Sequence, residues 1–484
     1  MIVMKFGGTS VEDAKAIDRV AKIVQGRLAH RPIVVVSAMA KVTDGLIAMG
    51  RAAAMGDLEA SLDLSRQLRE RHVSVSSELV RVPQLRPLLA EIESAFDRMN
   101  ELLKGIAAVG ELSLRTGDNL YSFGELLSSR VVAAAFQSRG LNSVMFDSRQ
   151  VMVTDTRHGE ATPLFEETNE RCVGQIAPLV KRGVVPVMGG FIASTKDGVP
   201  ATLGRGGSDF SAAIVGAALD AERIEIWTDV EGMMTSDPRV CANARSIRVI
   251  SFEEAAELAH FGAKVLHPAT LVPAVQKNIP VYVLNSRDLK SKGTCIKSCA
   301  PPCKTPFRAI AAKKKITIIS VSAPRMLLAH GYLRAVFEVF ERYHIPVDLV
   351  STSEVSISLT IESRLVVPGL VKDLEKLAEV SVEDGKAIIC LVGRKIRGKP
   401  GIAAGVFTAI AAGGINVRMI SQGASEINVS FVIDENDANL AVQLLHEHFF
   451  PMQQKKSASR AKKPRVAPAL LSRTATSGYR ETRP

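Results

Sequence analysis

The sequence predicts an α/β protein: a mainly parallel central sheet between helical layers, followed by two small βαββαβ units. Three observations carry this. Continuous apolar runs such as "RPIVVVSAM" alternate with helical patterns over about the first 290 residues, and strands apolar on both faces belong to a parallel sheet covered on both sides. Beyond residue 315 the strands are short. Two stretches there repeat one order of strands and helices, with "SEVS" at Ser353 and "SEIN" at Ser425 at matching places, which is an internal repeat.

The first strand is "IVMKF", with "GGTS" directly after it. Residues 13–28 place Ile17, Val20, Ala21, Val24 and Leu28 on one face, which is helical spacing. "RPIVVVSAM" is the second strand. Residues 57–108 are rich in Leu, Glu and Arg and predict a helical insertion. Later buried strands are "VVPVMGG", "RIEIWTDV" and "VYVLN", with a hairpin tip near Lys196–Gly198 and a helix opening at Ser211. This first domain spans residues 1–290. Residues 291–315, with "APPCKTP" and "KKK", read as a linker. Two consecutive βαββαβ units follow at 316–384 and 385–450, and a basic tail at 451–484.

Composition excludes several classes. Of 484 residues, 46% are apolar and 23% charged, ordinary for a soluble globular protein. No window approaches ~18 uninterrupted apolar residues, which argues against a membrane span. No basic segment precedes an apolar one at the N-terminus, and "KFGGTS" begins at Lys5, so neither a secretion signal nor a transit peptide is expected. The net charge of +11 invites a nucleic-acid reading, but residues 453–484 hold nine Lys or Arg and one Glu, which leaves +3 for the rest. Such a tail buries too little apolar surface to order itself. Six cysteines without a secretion signal are expected as thiols. Cys295, Cys299 and Cys303 lack an obvious fourth ligand for zinc, and "NVS" at Asn428 lies in a strand-like run.

The plain reading of "MKFGGTS" is a tight turn. The sharper one is a phosphate seat, because glycines let backbone N–H groups approach an anion and a helix start adds about half a positive charge. A second glycine run, "LGRGGSDFSAA" from Leu203, repeats the strand-to-helix setting. Neither fits GxxxxGK[ST], and no GxGxxG follows a strand with an acid ~20 residues on.

Six motifs then occur in order: "KFGGTS" at Lys5, "SFGELLSSR" at Ser122, "LGRGGSD" at Leu203, "WTDVEG" at Trp227, "SDPR" at Ser236 and "FGAKVLHPAT" at Phe261. With them the chain resembles the aspartate kinases of the amino-acid kinase superfamily over essentially residues 1–450. The C-terminal repeat resembles their paired ACT domains, and "VDLVSTSEVSISLT" is similar to the effector segment of the lysine-inhibited monofunctional class.

The resemblance implies transfer of the ATP γ-phosphoryl group to the side-chain carboxylate of L-aspartate, giving 4-phospho-L-aspartate, the first step towards lysine, threonine and methionine. It implies ATP with Mg²⁺, though no motif announces metal ligands. It also implies a cytoplasmic homodimer or larger assembly through the ACT domains, lysine as feedback effector, and no nucleic-acid or membrane partner. The rivals are another acidic amino-acid kinase and an inactive amino-acid sensor on the same scaffold. An aspartate side chain with a pKa of ~3.9 is already an anion at pH 7, so no general base is needed. Catalysis is then positioning and charge stabilisation.

Residue by residue, the resemblance makes Lys5 and Asp209 catalytic, Asp209 orienting Lys5 or the substrate amine. It assigns Ser37, Ala38, Thr43, Glu125 and Arg205 to aspartate, with Glu125 for the ammonium and Arg205 for a carboxylate. It assigns Gly7, Gly8, Ser10, Thr228, Asp229, Met234, Asp237, Arg239 and Lys264 to ATP. Met234 stands where the family often has tyrosine, so a phenolic hydrogen bond is missing there. The effector segment comprises Met326, Gly331, Tyr332, Leu333, Val347, Asp348, Ser353, Glu354 and Thr360. Asp348 and Glu354 suit a cation, whereas Ala329 and Pro346 replace serines of lysine-sensitive relatives.

Overall fold

A computed structural model describes residues 1–262, 268–302, 305–322, 330–394, 396, 399–422 and 427–451. The first part of the chain contains β1 (Ile2–Phe6), α1 (Ala14–Gln25), β2 (Pro32–Val36), α2 (Val42–Ala54), α3 (Leu58–Leu79), α4 (Val82–Val109), α5 (Leu114–Ser138), β3 (Ser143–Phe146), β4 (Val153–Thr154), α6 (Phe165–Lys181), β5 (Val185–Gly189), β6 (Ile192–Thr195), β7 (Pro200–Thr202), α7 (Gly207–Ala218), β8 (Arg223–Thr228), β9 (Val249–Ser251), α8 (Phe252–His260), α9 (Val272–Gln276), β10 (Val281–Asn285) and β11 (Thr294–Lys297). Eight of these strands form one sheet in the order β3-β5-β2-β1-β8-β10-β11-β9, with the run from β3 to β10 parallel throughout. The strands β4, β6 and β7 form a small second sheet.

Alternation along the strands explains the two helical layers. On β1, Ile2, Met4 and Phe6 enter the core shared with α1, α2 and α5, whereas Val3 enters the core shared with α7. Lys5 has the parity of Val3, so the pleat turns it to the α7 side. The insertion expected at 57–108 is the pair α3 and α4. Leu88, Ile92, Phe96, Met99, Leu103 and Ile106 recur at helical spacing on α4 and extend the core of α2 and α5 outwards.

The remaining elements are β12 (Ala309–Ser322), α10 (Tyr332–Arg342), β13 (Val350–Thr352), β14 (Ser356–Glu362), α11 (Pro368–Glu375), β15 (Glu379–Val392), α12 (Ile402–Ala412), β16 (Met419–Ser421), β17 (Asn428–Asp434) and α13 (Ala438–Phe449). They build one six-stranded sheet in the order β13-β14-β12-β15-β17-β16. The two repeats are not consecutive. Ala309–Lys313 pairs with Ile388–Val392 and supplies the last strand of the second unit, while Ile316–Ser322 opens the first. The first unit is therefore inserted within the second.

The expected linker at 291–315 is thus largely structured: β11 joins the eight-stranded sheet, and residues 309–315 lie within β12. Composition hid this, because prolines and lysines flank a short apolar run. A shift in register falls between Lys313 and Ile316, and Lys315 adopts φ 59°. One extra residue reverses side-chain parity. Ala309 and Ala311 before the shift, and Ile316 and Ile318 after it, consequently all face the same core. On β15, Ala387, Ile389 and Leu391 meet α12 and α13, while Ile388, Cys390 and Val392 join the core that contains Leu258 and Phe261. This strand is apolar on both faces because it lies between its own helices and the first domain.

Among the described residues no helix is long and apolar enough to cross a membrane, and no group of three His, Cys, Asp or Glu gathers to hold a metal ion. Asn428 of the "NVS" sequon is partly buried, with Nδ2 donating to Glu257 at 2.5 Å. Cys303, Ser425 and most of the basic tail lie outside the described residues.

Candidate active site

The carboxyl ends of β5, β2, β1, β8 and β10 open along one edge of the sheet, where open α/β sheets place their ligands. The ladder continues one residue past the strands. Ser37 N–H donates to Phe6 (3.1 Å), Gly7 N–H to Trp227 (3.1 Å), Gly190 N–H to Val36 (2.8 Å) and Ser286 N–H to Thr228 (2.8 Å). These bonds fix the loops that follow each strand.

Lys5, one residue from the end of β1, places Nζ 2.6 Å from Oδ1 of Asp209, with both side chains nearly buried. Asp209 lies in the first turn of α7. That helix begins at Gly207, four residues before the expected start at Ser211, because Gly206 takes φ 71° and sets the turn. No side chain caps α7, so its positive N-terminal end stands open beside Lys5. Ser211 instead ties the helix to the loop after β5, accepting from Phe191 N–H at 2.9 Å. A Cβ on Gly190 would come within 2.7 Å of Ser208, so only glycine allows this close approach.

Glu125 sits midway along α5 and is 4% exposed. Burial pushes its carboxyl up to about 8, against smaller downward pulls that include the Ala38 backbone and the Lys5 charge. Its Oε2 has no hydrogen-bond partner among the described residues. The helix reaches this depth because Gly124 packs on Ala38 and Gly189 on Glu125, where added Cβ atoms would each lie 2.9 Å from a neighbour. Ala38 is buried, while Ser37 and Thr43 are partly open. Arg205 is exposed between Gly204 and Gly206, both at φ 71°, and forms no ion pair among the described residues. The site therefore joins Lys5, the α7 end and an exposed guanidinium to one buried carboxyl that forms no ion pair among the described residues. That set suits a zwitterion with a second carboxylate, beside a polyphosphate.

Two of the expected nucleotide contacts are used internally. The Gly7 N–H is bonded to Trp227 and is not free for phosphate. Ser10 is buried, with its hydroxyl 2.8 Å from Ser286 and 3.4 Å from the Trp227 carbonyl, so it anchors the turn. Gly8 is held by space: its Cβ would lie 3.0 Å from the Ala38 carbonyl. Thr228 ends β8 and Asp229 follows it, their side chains 3.2 Å apart. Met234 is partly buried, and Arg239 forks onto Asp237 at 2.6–3.2 Å on an exposed loop. The hydrogen bonds from Arg239 hold the Asp237 carboxyl below the usual range. Lys264 lies outside the described residues.

Beside the six-stranded sheet, Gly331 (φ 82°) starts α10, which carries Tyr332 and the exposed Leu333. Val347 is partly buried, and Met326 lies outside the described residues. Asp348 is not a free acid. Lys313 Nζ lies 2.7 and 2.8 Å from its two oxygens, and His260 Nε2 lies 3.2 Å away. Burial pushes its carboxyl up, but these partners together hold it below the usual range. Ser353 closes a turn with Ser356 at 2.7 Å, and Glu354 is exposed. Thr360 is buried and accepts from Leu349 N–H at 2.8 Å.

The sequence reading missed two residues that hold the site's loops. Arg71 of α3 donates to the carbonyls of Ala40 (2.7 Å) and Glu12 (2.8 Å), strapping the loops after β2 and β1 together. Asp118 of α5 is buried and bonded to Thr202, Gly159 and His158. Its one sequence signal is an acid two turns before Glu125, these being the only two acids of α5.

Residues 1–285 match the model of the amino acid kinase family, and residues 389–449 that of the ACT domain. The chain is 38% identical over 460 residues to the lysine-sensitive aspartokinase 3 of Escherichia coli (strain K12), covering 93% of this chain and 99% of that protein. It superposes on the crystal structure of E. coli aspartokinase III in complex with aspartate and ADP (R-state) with a TM-score of 0.82 at 38% identity, covering 93% and 100% of the two chains. For the complex of the same protein with lysine and aspartate (T-state) the TM-score is 0.77 at 38% identity, covering 93% and 99%.

Proposed function

The chain belongs to the aspartokinases of the amino acid kinase family, and we propose that the pocket at the carboxyl ends of β1, β2, β5 and β8 is the seat of its reaction. It phosphorylates the side-chain carboxylate of L-aspartate with ATP. One carboxylate oxygen attacks the γ-phosphorus, the bond from phosphorus to the β,γ-bridging oxygen breaks, and 4-phospho-L-aspartate and ADP leave. No proton moves in this step.

The observation that carries the assignment is the 2.6 Å pair of Lys5 and Asp209 beside an uncapped helix start. Two anions must meet, and a cation 4 Å from a phosphoryl oxygen at an effective dielectric near 20 is worth about 4 kcal/mol before desolvation. Asp209, already paired with an ammonium, holds Lys5 in place and is not a base. Glu125 takes the aspartate ammonium and Arg205 the α-carboxylate. ATP arrives with Mg²⁺ as its complex. The carboxylates present fit this better than a resident cation cage, since Asp209 is engaged by Lys5 and no three-ligand group forms among the described residues. The ion supplies charge neutralisation on the phosphates.

Lysine is the effector we assign, supported by the name of the E. coli relative and by its lysine-bound structure. It would act on the first regulatory unit, with the exposed Glu354 as its acid, since Asp348 is already paired with Lys313. The edge strands β13 and β16 carry exposed Val350 and Ile420, which fits pairing with a second copy in a cytoplasmic homodimer or larger assembly.

The test is ATP-dependent formation of aspartyl phosphate by the purified chain, trapped as the hydroxamate. Product from aspartate, absent with glutamate and suppressed by lysine, is expected. Product that lysine leaves unchanged would remove lysine as effector, and no product from aspartate would favour an inactive sensor.

A further inference from the structure

Asp118 is 1% exposed and lies outside the reacting centre. Its carboxylate gathers donors from two separate segments. Thr202 Oγ1 donates to Oδ1 at 2.5 Å, Gly159 N–H donates to Oδ2 at 3.0 Å, and His158 Nδ1 lies 2.9 Å from the same oxygen. Thr202 ends β7, three residues before Arg205. His158 and Gly159 belong to the loop between β4 and α6, which lies against the Arg205 loop. Ala161 N–H donates to the Thr202 carbonyl at 2.9 Å, and a Cβ on Gly204 would come within 3.0 Å of Glu160. One carboxylate therefore fastens the chain leading into Arg205 and the loop behind it.

The same helix carries Glu125 seven residues on. Seven residues are close to two turns, about 10 Å along the axis and on one face. Thus α5 holds the ammonium-binding acid directly and, through Asp118, the guanidinium loop. A carboxylate suits this place because it only accepts, whereas an amide would present N–H groups to the Thr202 and Gly159 donors. Burying a charge merely to close a surface loop is costly, and the β6–β7 hairpin already has its own backbone ladder.

We propose that Asp118 is a positioning residue for the phosphoryl acceptor. Through Thr202 and the His158–Gly159 turn it sets the distance between Arg205 and Glu125, so that both ends of the amino acid are read together. This rests on the assignment of Arg205 and Glu125 to aspartate made above.

The test is steady-state kinetics of the full chain with aspartate and ATP varied separately, for Asp118→Asn, Thr202→Val and Thr202→Ser. The aspartate KM is expected to rise about tenfold or more in Asp118→Asn and about threefold or more in Thr202→Val, with the ATP KM within about twofold of wild type. Thr202→Ser restores the hydroxyl and should return the aspartate KM to within about twofold of wild type. A merely structural Asp118 would lower the active fraction, and so the apparent kcat, at an unchanged aspartate KM. That pattern overturns the proposal. If Asp118→Asn does not fold, the two Thr202 variants decide by the same criterion. An Arg205→Ala variant separates the premise: an unchanged aspartate KM there means that Arg205 does not bind the acceptor, and the functional assignment fails rather than the clasp.

Discussion

At neutral pH the free protein holds Glu125 as the acid, since burial raises its carboxyl to about 8. An ammonium placed against it favours the anion. Aspartate binding should therefore release a proton, about nine-tenths of one at pH 7 if the bound group ionises fully. Calorimetry in buffers of different ionisation enthalpy measures this, and no buffer dependence would move the ammonium elsewhere. The stability consequence has a definite sign. A carboxyl raised in the folded state contributes most below its ordinary pKa of 4.5, and that contribution is lost as pH rises through about 8. Glu125→Gln removes this slope, so the variant should gain stability relative to wild type between about pH 5 and 8. It should also bind aspartate about tenfold or more weakly, as expected for losing a charged partner.

Among the elements, the α3–α4 insertion does more than enlarge the core. Arg71 crosses from α3 to the carbonyls of Ala40 and Glu12, the loops that follow β2 and β1. Arg71→Ala leaves both carbonyls without this donor and should cost about 1–3 kcal/mol of stability. It should also raise the KM for aspartate several-fold by loosening the loop of Ser37 and Ala38. Chemical denaturation and initial-rate kinetics check both, and an unchanged KM would make the strap purely structural.

Much at this scale was legible in the sequence. Apolar runs gave β2, β5, β8 and β10 because strands buried on both faces carry an unbroken signal. What escaped reading was set by non-local pairing. "AIAAK" from Ala309 becomes a strand only because Ile388–Val392 lies beside it, and nothing local announces that register. Specific motifs single out Lys5, Glu125 and Asp209 in the sequence, and the fold brings Lys5 to within 2.6 Å of Asp209. The inward use of the Gly7 N–H and the Ser10 hydroxyl, and the roles of Arg71 and Asp118, depend on partners up to 276 positions away.

Across the whole molecule, polar contacts join the regulatory sheet to the kinase domain. Thr235, on the loop between β8 and β9, meets His446 of α13 at 2.9 Å, and Ile310 N–H donates to the Thr235 carbonyl at 2.8 Å. Asp348 meets His260 at 3.2 Å. Arg308 Nε meets Glu254 at 2.9 Å with both side chains under a tenth exposed, and its other nitrogens donate to the carbonyls of Val249 and Pro301. Arg308→Ala strands Glu254 as a buried unpaired acid, and breaking such a pair costs about 3–5 kcal/mol. Thermal unfolding should show the loss. A variant as stable as wild type would mean that water reaches Glu254 and the junction is not closed.

The most direct test of the account is a single-turnover assay of Lys5→Met with aspartate and MgATP, alongside calorimetric binding of aspartate to the same variant. Aspartate should still bind, because Glu125 and Arg205 remain, while phosphoryl transfer falls by about a thousandfold, the scale of losing one charge-stabilising group with its preorganisation. Transfer near the wild-type rate would contradict the account, because the pair of Lys5 with Asp209 would then be a structural ion pair and the reacting centre would lie elsewhere.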